Sequence, residues 1–260
     1  MSTDTNTSFS SRTANGRALR WEIILVLAVT FGVSGLRSIL RLIEALTDTR
    51  NLNEQTAELN SQQSHLPWLD PLMQIISSGV LFAWGGLALF LLLRHVPLRT
   101  NLAPRTIWRM RAKDWGHGAG LAAIIGVPGL LFYVTAVQLG LSKQIDPSAM
   151  EDSLWKLPLL VLNAWANGWA EEIVVVAWLA TRLRQLRVSW VWVFAGSALL
   201  RGSYHLYQGI SAGFGNIVMG LLYLWYWRKT GRIWPLIIAH GLIDTVAFVG
   251  YAMLGGVPGL

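Results

Sequence analysis

The sequence predicts an all-α fold, a polytopic transmembrane helix bundle of about seven spans with a polar site between spans 4, 5 and 7. Three observations predict it. Hydrophobic residues make up 53% of the chain and charged residues only 13%, where a soluble domain carries about 25% charged residues. The charges gather in short segments between apolar stretches, and about 20 apolar residues suffice to cross a bilayer. Several of the fourteen tryptophans lie near the ends of those stretches (Trp21, Trp68, Trp155, Trp190, Trp234), where indoles settle at the membrane–water interface. The absence of cysteine excludes disulfides, thiolate metal sites, cysteine nucleophiles and thiol lipidation. The net charge of +7 comes from loop Lys and Arg that set topology, so it points to the lipid bilayer and to no nucleic acid.

Taken in order, residues 1–20 are rich in Ser, Thr and Asn, with Arg12, Arg17 and Arg20. They read as a disordered cytoplasmic tail; a long polar start and no A-x-A-like site argue against a cleaved signal peptide. Residues 21–141 hold spans 1–3. Span 1 covers Trp21–Leu40, and Arg37, Arg41 and Glu44 extend it on one helix face as a snorkelling, ion-paired end. A polar loop over 47–69 leads to span 2, Leu72–Leu93, which carries no charge. The loop Arg94–Lys113 holds six Lys or Arg, and His95 and His117, at the ends of the neighbouring spans, read as interfacial residues. Span 3, Gly118–Leu141, is uncharged and contains Pro128, which a membrane helix tolerates.

Residues 142–260 form the expected functional core. Span 4 is Leu157–Thr181, span 5 Trp190–Tyr207, span 6 Ser211–Trp227, and span 7 starts near Ile233. Lys and Arg are abundant in the tail and in the loops after spans 2, 4 and 6, and sparse after spans 1, 3 and 5. That alternation predicts an integral membrane protein with its N-terminus in the cytoplasm.

The chemistry is expected on spans 4, 5 and 7. Glu171 and Glu172 sit side by side in an apolar helix, where each ionised group costs at least ~2.5–3.5 kcal/mol on insertion scales, so their default reading is functional. Asn163, Asn167 and Glu171 recur every four residues as a polar stripe; Arg201 and His205, and His240 and Asp244, are likewise four apart. At ~1.5 Å per residue Glu171 lies ~15 Å from Thr181 and His240 ~12 Å from Arg232, so their depths are compatible. The H-E-x-x-H zinc motif and the G-x-G-D aspartyl motif are missing.

The order of these residues resembles the CPBP family (CAAX prenyl protease and bacteriocin-processing, or Abi) of intramembrane glutamic endopeptidases. The family pattern is Glu-Glu-x-x-x-Arg, then Phe-x-x-x-His, then His-x-x-x-Asn/Asp. Glu171, Glu172, His205, His240 and Asp244 match it, and the resemblance covers roughly residues 155–250. Val176 stands where the first motif has arginine, and Arg201 where the second has phenylalanine. Our reading is that Arg201 takes over the missing arginine's task of pairing a span 4 carboxylate.

The resemblance implies a metal-independent endopeptidase, in a bacterial cell membrane, that cuts a membrane-associated peptide or protein. It implies Glu171 as the base that activates water with help from His205, and His240 with residue 244 as stabilisers of the oxyanion. Glu172 is expected to pair with Arg201 or His240. Asp244 either donates as a protonated acid or orients His240. Two alternatives stay open. One is a metal-dependent protease holding a divalent ion through His205, His240 and a carboxylate, and the other is a non-catalytic membrane immunity or scaffold protein.

Overall fold

The computed structural model of the chain describes residues 5–95 and 109–256. Most of the expected basic loop Arg94–Lys113 and the first four residues of the expected tail lie outside the described residues. Helix α1 is Thr5–Val29, so helical backbone replaces the expected disorder from Thr5 onward. A bend of 49° separates it from α2, Phe31–Thr47. Then follow β1 (Thr56–Glu58), α3 (Leu69–His95), α4 (Ala112–Gln138), β2 (Gln144–Asp146) and α5 (Lys156–Glu171). A π-helical turn, Glu172–Trp178, joins α5 to α6 (Leu179–Gln185). The chain closes with α7 (Trp190–Ser203), α8 (Ile210–Thr230) and α9 (Trp234–Leu254).

The all-α expectation is met, with α4 running unbroken through Pro128. Four helical segments are long and apolar enough to cross a membrane: α3, α4, the α5–α6 rod and α9. The bent α1–α2 pair makes a fifth if it is one span. Helices α7 and α8, expected as spans 5 and 6, are not among them. With 14 residues, α7 is ~21 Å long, short of a hydrocarbon core of ~30 Å.

Burial follows the bilayer as solvent. Ile76 on α3, Leu131 on α4 and Leu36 on α2 are each about 60% exposed or more, as lipid-facing apolar residues are. The α5–α6 rod is the centre of the bundle: Ile173 to Ala180 are buried without exception. Small residues let its neighbours close on it, as expected where helix packing and not apolar burial drives association. A Cβ on Gly168 would lie 3.1 Å from Gly241 N and from Ile237 O, so α5 and α9 touch backbone to backbone. A Cβ on Gly202 would lie 2.8 Å from Gly213 O, which brings α7 and α8 equally close.

The loops sort to two ends as the charge pattern requires. At one end β1 and β2 pair in parallel, Ala57 opposite Ile145, and the 139–155 segment rests on the turn after α7. Ser142 bridges Gly209, and Lys143 N–H donates to Gln208 O at 3.1 Å. This layer meets α7 where the short helix stops, so the turn lies below the level that a full span would reach. At the other end Arg232 pairs with Asp114, and Arg182 pairs with Glu22 at 2.6 Å.

Gly209 makes the turn possible. Its φ of 123° and ψ of 169° fall in a region essentially reserved for glycine, and a Cβ there would also meet Ser142 Cα at 2.9 Å. Gly209→Ala is therefore expected to cost about 1–3 kcal/mol. Thermal unfolding in detergent checks this, and an unchanged midpoint would show that the turn relaxes around the methyl group.

Candidate active site

The site starts at the junction of α5 and the π-turn. Glu171 is the last residue of α5 and Glu172 the first of the wider turn. A π-turn replaces i→i+4 hydrogen bonds by i→i+5 bonds and is frequent at functional sites. The irregular backbone is compensated by α7: Ser197 Oγ donates to Val175 O at 2.9 Å. One turn further along α7 comes Arg201, fully buried.

Arg201 straddles the carboxylate pair. Its Nη2 donates to Glu172 Oε1 at 2.7 Å and its Nη1 to Glu171 Oε2 at 3.4 Å. The guanidinium also lies 5.5 Å from the centre of the Tyr223 ring on α8. Helix α8 reaches it because a Cβ on Gly220 would already stand 3.2 Å from Arg201 Cδ. A planar fork that meets two acceptors at once is a geometry lysine cannot copy. The cation thus comes from α7, while Val176, at the position where the family motif carries arginine, is fully buried in the apolar cluster.

His240 approaches from α9, across the Gly168–Gly241 contact. Its Nδ1 donates to Glu172 Oε1 at 2.7 Å, and its Nε2 lies 3.5 Å from Asp244 Oδ2 one turn on. Asn167 turns its side chain to Asp244. Glu172 therefore binds Arg201 and His240 together, where the sequence suggested one or the other. His205 Nε2 lies 3.8 Å from Glu171 Oε2 and has no hydrogen-bond partner among the described residues. Three carboxylates face one guanidinium and two imidazoles, so the cluster is neutral when both imidazoles are protonated.

Seven of the eight residues singled out from the sequence converge: Glu171, Glu172, Arg201, His205, His240, Asp244 and Asn167. Asn163 does not. It donates to Asn60 of the β1 loop, which in turn donates to Pro147 O at 2.7 Å, so it ties α5 to the outer layer two turns from the carboxylates. The expected helical pairing of Arg201 with His205 also fails, because α7 ends at Ser203 and His205 sits in the following turn. The turn still delivers it to Glu171.

Sequence reasoning missed Ser197, Tyr223 and Tyr204. Ser197 lies four residues before Arg201 and Tyr223 on α8, both outside the matched motifs, and nothing in their residue type marks them. Tyr204, adjacent to His205, donates its hydroxyl to Glu171 Oε2 at 2.7 Å. Sequence reasoning also overlooked the run Gly32-Val-Ser-Gly35, which has the form of a serine-protease G-x-S-G motif. Its Ser34 hydroxyl donates to Thr30 O within α2 at 3.2 Å, and Gly35 is packed on Ser203, so this run serves helix packing.

Glu171, Glu172 and His240 each offer an atom within 4.8 Å of the others, a spacing that could hold a metal ion. His205, expected among the ligands, is not in that group. The same two carboxylates carry the guanidinium of Arg201, a cation already in place between them.

Residues 153–246 match the family described as type II CAAX prenyl endopeptidase, Rce1-like. The match spans a little over a third of the chain and contains every site residue from Asn163 to Asp244. It agrees with the resemblance to the CPBP family of CAAX proteases that the motifs carry. No curated protein and no solved structure matches the chain.

Proposed function

We propose that the protein is an intramembrane endopeptidase that hydrolyses a peptide bond of a membrane-associated protein or peptide with a water activated by Glu171, without a metal. The observation that carries this reading is the division of labour between the two glutamates. Glu172 is engaged through Oε1 by both cationic partners, Arg201 and His240 at 2.7 Å each, while its Oε2 is buried without a hydrogen-bond partner among the described residues. Glu171 has its short bond to a neutral hydroxyl and faces the unpartnered His205 Nε2 across 3.8 Å. That separation is too long for a direct hydrogen bond and short enough for one water to touch both groups.

In the reaction Glu171 takes a proton from this water as its oxygen attacks the scissile carbonyl carbon. The carbonyl oxygen becomes an oxyanion, which needs a donor already in position. His240 is held through Nδ1 on Glu172, and its Nε2–H makes only a loose contact with Asp244, so that proton can turn to the oxyanion. Asp244, one turn on, orients the imidazole. When the tetrahedral intermediate collapses, Glu171 returns its proton to the amide nitrogen that leaves. The bilayer is the medium; the Lys/Arg pattern supports an N-terminus in the cytoplasm, and the family resemblance supports a bacterial cell membrane.

The metal-dependent reading has one observation in its favour, the spacing of Glu171, Glu172 and His240. The test is cleavage of a panel of membrane-anchored peptides in liposomes by wild type and Glu171→Gln, each with and without a chelator. Cleavage that is lost in the variant and indifferent to chelator is expected. Cleavage abolished by chelator and restored by a divalent ion would move the assignment to the metal. A folded wild type that cuts none of the panel would favour a binding or immunity role.

A further inference from the structure

Tyr204 occupies the last unspecified position of the second family motif, just before His205, and is placed where it touches the reacting group. The geometry points to Tyr204 as a positioning residue, which fixes the orientation of the Glu171 carboxylate through its hydroxyl and is itself braced by α2. The inference rests on the reading of Glu171 as the base.

A glutamate ends in a broad, roughly two-fold torsion, so its carboxylate needs an anchor to aim one oxygen at a water. Three groups approach Glu171, and all of them approach Oε2. The Tyr204 hydroxyl is at 2.7 Å, Arg201 Nη1 at 3.4 Å and His205 Nε2 at 3.8 Å. Only the first has the length of a strong hydrogen bond. The guanidinium spends its own short bond on Glu172. Tyr204 therefore sets the rotation of the carboxylate and holds Oε2 where it faces His205 Nε2 across the 3.8 Å that one water can fill.

The tyrosine is held in turn. It caps the end of α7 and is 7% exposed. Its ring packs on Phe31 with centroids 4.8 Å apart and on His205 at the same separation. Helix α2 grips the same turn twice more: Gly35 packs on Ser203, and Tyr207 N–H donates to Ser38 Oγ at 2.6 Å. Phe31, Gly35 and Ser38 repeat at helical spacing on one face and are the buried side of α2. All three lie outside the family-matched segment 153–246. The catalytic turn thus has part of its support in a helix that the family match does not include.

The experiment compares wild type, Tyr204→Phe and Glu171→Gln on one cleavable membrane-anchored peptide in liposomes, with unfolding midpoints measured in parallel. Phenylalanine keeps both ring contacts and removes only the donor. The expected result is a kcat about ten- to a hundredfold lower in Tyr204→Phe, the range for loss of one hydrogen bond to a charged group. KM should stay within about twofold, because the bond is to enzyme and not to substrate. Replacement of Tyr204 by 3-fluorotyrosine, which restores a hydroxyl on the same ring, should return kcat to within about threefold of wild type. A merely structural role would lower the midpoint of Tyr204→Phe and leave kcat of the folded protein near wild type. Wild-type kcat in Tyr204→Phe beside an inactive Glu171→Gln overturns the role of Tyr204 and leaves the base in place. A 3-fluorotyrosine protein as slow as the phenylalanine variant overturns it too. Full activity in Glu171→Gln overturns the reading of the base itself.

Discussion

Glu171→Gln is expected to fold and to lose nearly all turnover. Glutamine keeps the length and shape of the side chain, and its carbonyl oxygen can still accept from the Tyr204 hydroxyl and Arg201 Nη1, which meet the carboxylate at 2.7 and 3.4 Å. The guanidinium keeps its shorter bond to Glu172 at 2.7 Å, so the buried cation is not stranded. What the amide cannot do is accept a proton from water at neutral pH. General base catalysis contributes about 10²–10⁴-fold, and here one group both takes the proton from water and returns it to the leaving amine. A loss of at least about 10³-fold in kcat, with an unfolding midpoint within a few degrees of wild type, is the expected pair of results. Residual activity within about tenfold of wild type would transfer the base role to another group, with Asp244 the next carboxylate in reach of His240.

The sequence displayed this site better than it displayed the path of the chain around it. Two carboxylates in an apolar helix are costly wherever the helix lies, so Glu171 and Glu172 called for partners, and few polar residues were on offer in the later apolar stretches. That scarcity is why Arg201, His205, His240 and Asp244 could be assembled without coordinates. Asn163 misled because helical periodicity places it on the same stripe as Glu171 while saying nothing of how far the polar pocket extends. Two turns of helix away, its partner is a loop asparagine.

The backbone features were illegible for a related reason. Periodicity assumes a continuous α-helix, and the chain breaks that assumption at the two places where the site is made. The π-turn begins at Glu172, inside a run of apolar residues that reads as ordinary span. Helix α7 stops at Ser203, so His205 arrives on a turn, and the outer loops close over it. Charge counting in loops could place the ends of the spans but not a helix that ends early. The glycines were visible as permissive positions. Which of them meet, Gly168 with Gly241 and Gly202 with Gly213, is a property of tertiary packing.

Arg201→Ala should be the most destabilising single change in the site, and its effect on stability and on catalysis should have one cause. Arginine is fully buried and bridges two carboxylates that are themselves 6% and 0% exposed. Removal of one partner of a buried ion pair costs about 3–5 kcal/mol, because the remaining charge is left without compensation. Here two charges on neighbouring residues lose their shared cation. They also lose the helix contact that the guanidinium makes with the Tyr223 ring. The pair can relieve its repulsion only by taking up a proton, and a Glu171 that already holds one cannot accept another from water. Arg201→Lys separates the two effects. A lysine restores one positive charge, so much of the unfolding midpoint should return, but a single ammonium cannot meet both carboxylates as the fork does. Turnover in Arg201→Lys is then expected to remain well below wild type, by about tenfold or more, given that a hydrogen bond to a charged group is worth ~1.5–3 kcal/mol. Thermal unfolding and cleavage measured on both variants decide the matter. Folding and activity intact in Arg201→Ala would mean that the guanidinium does not do the work of the arginine missing at position 176, and that the glutamates are neutralised by His240 and His205 alone.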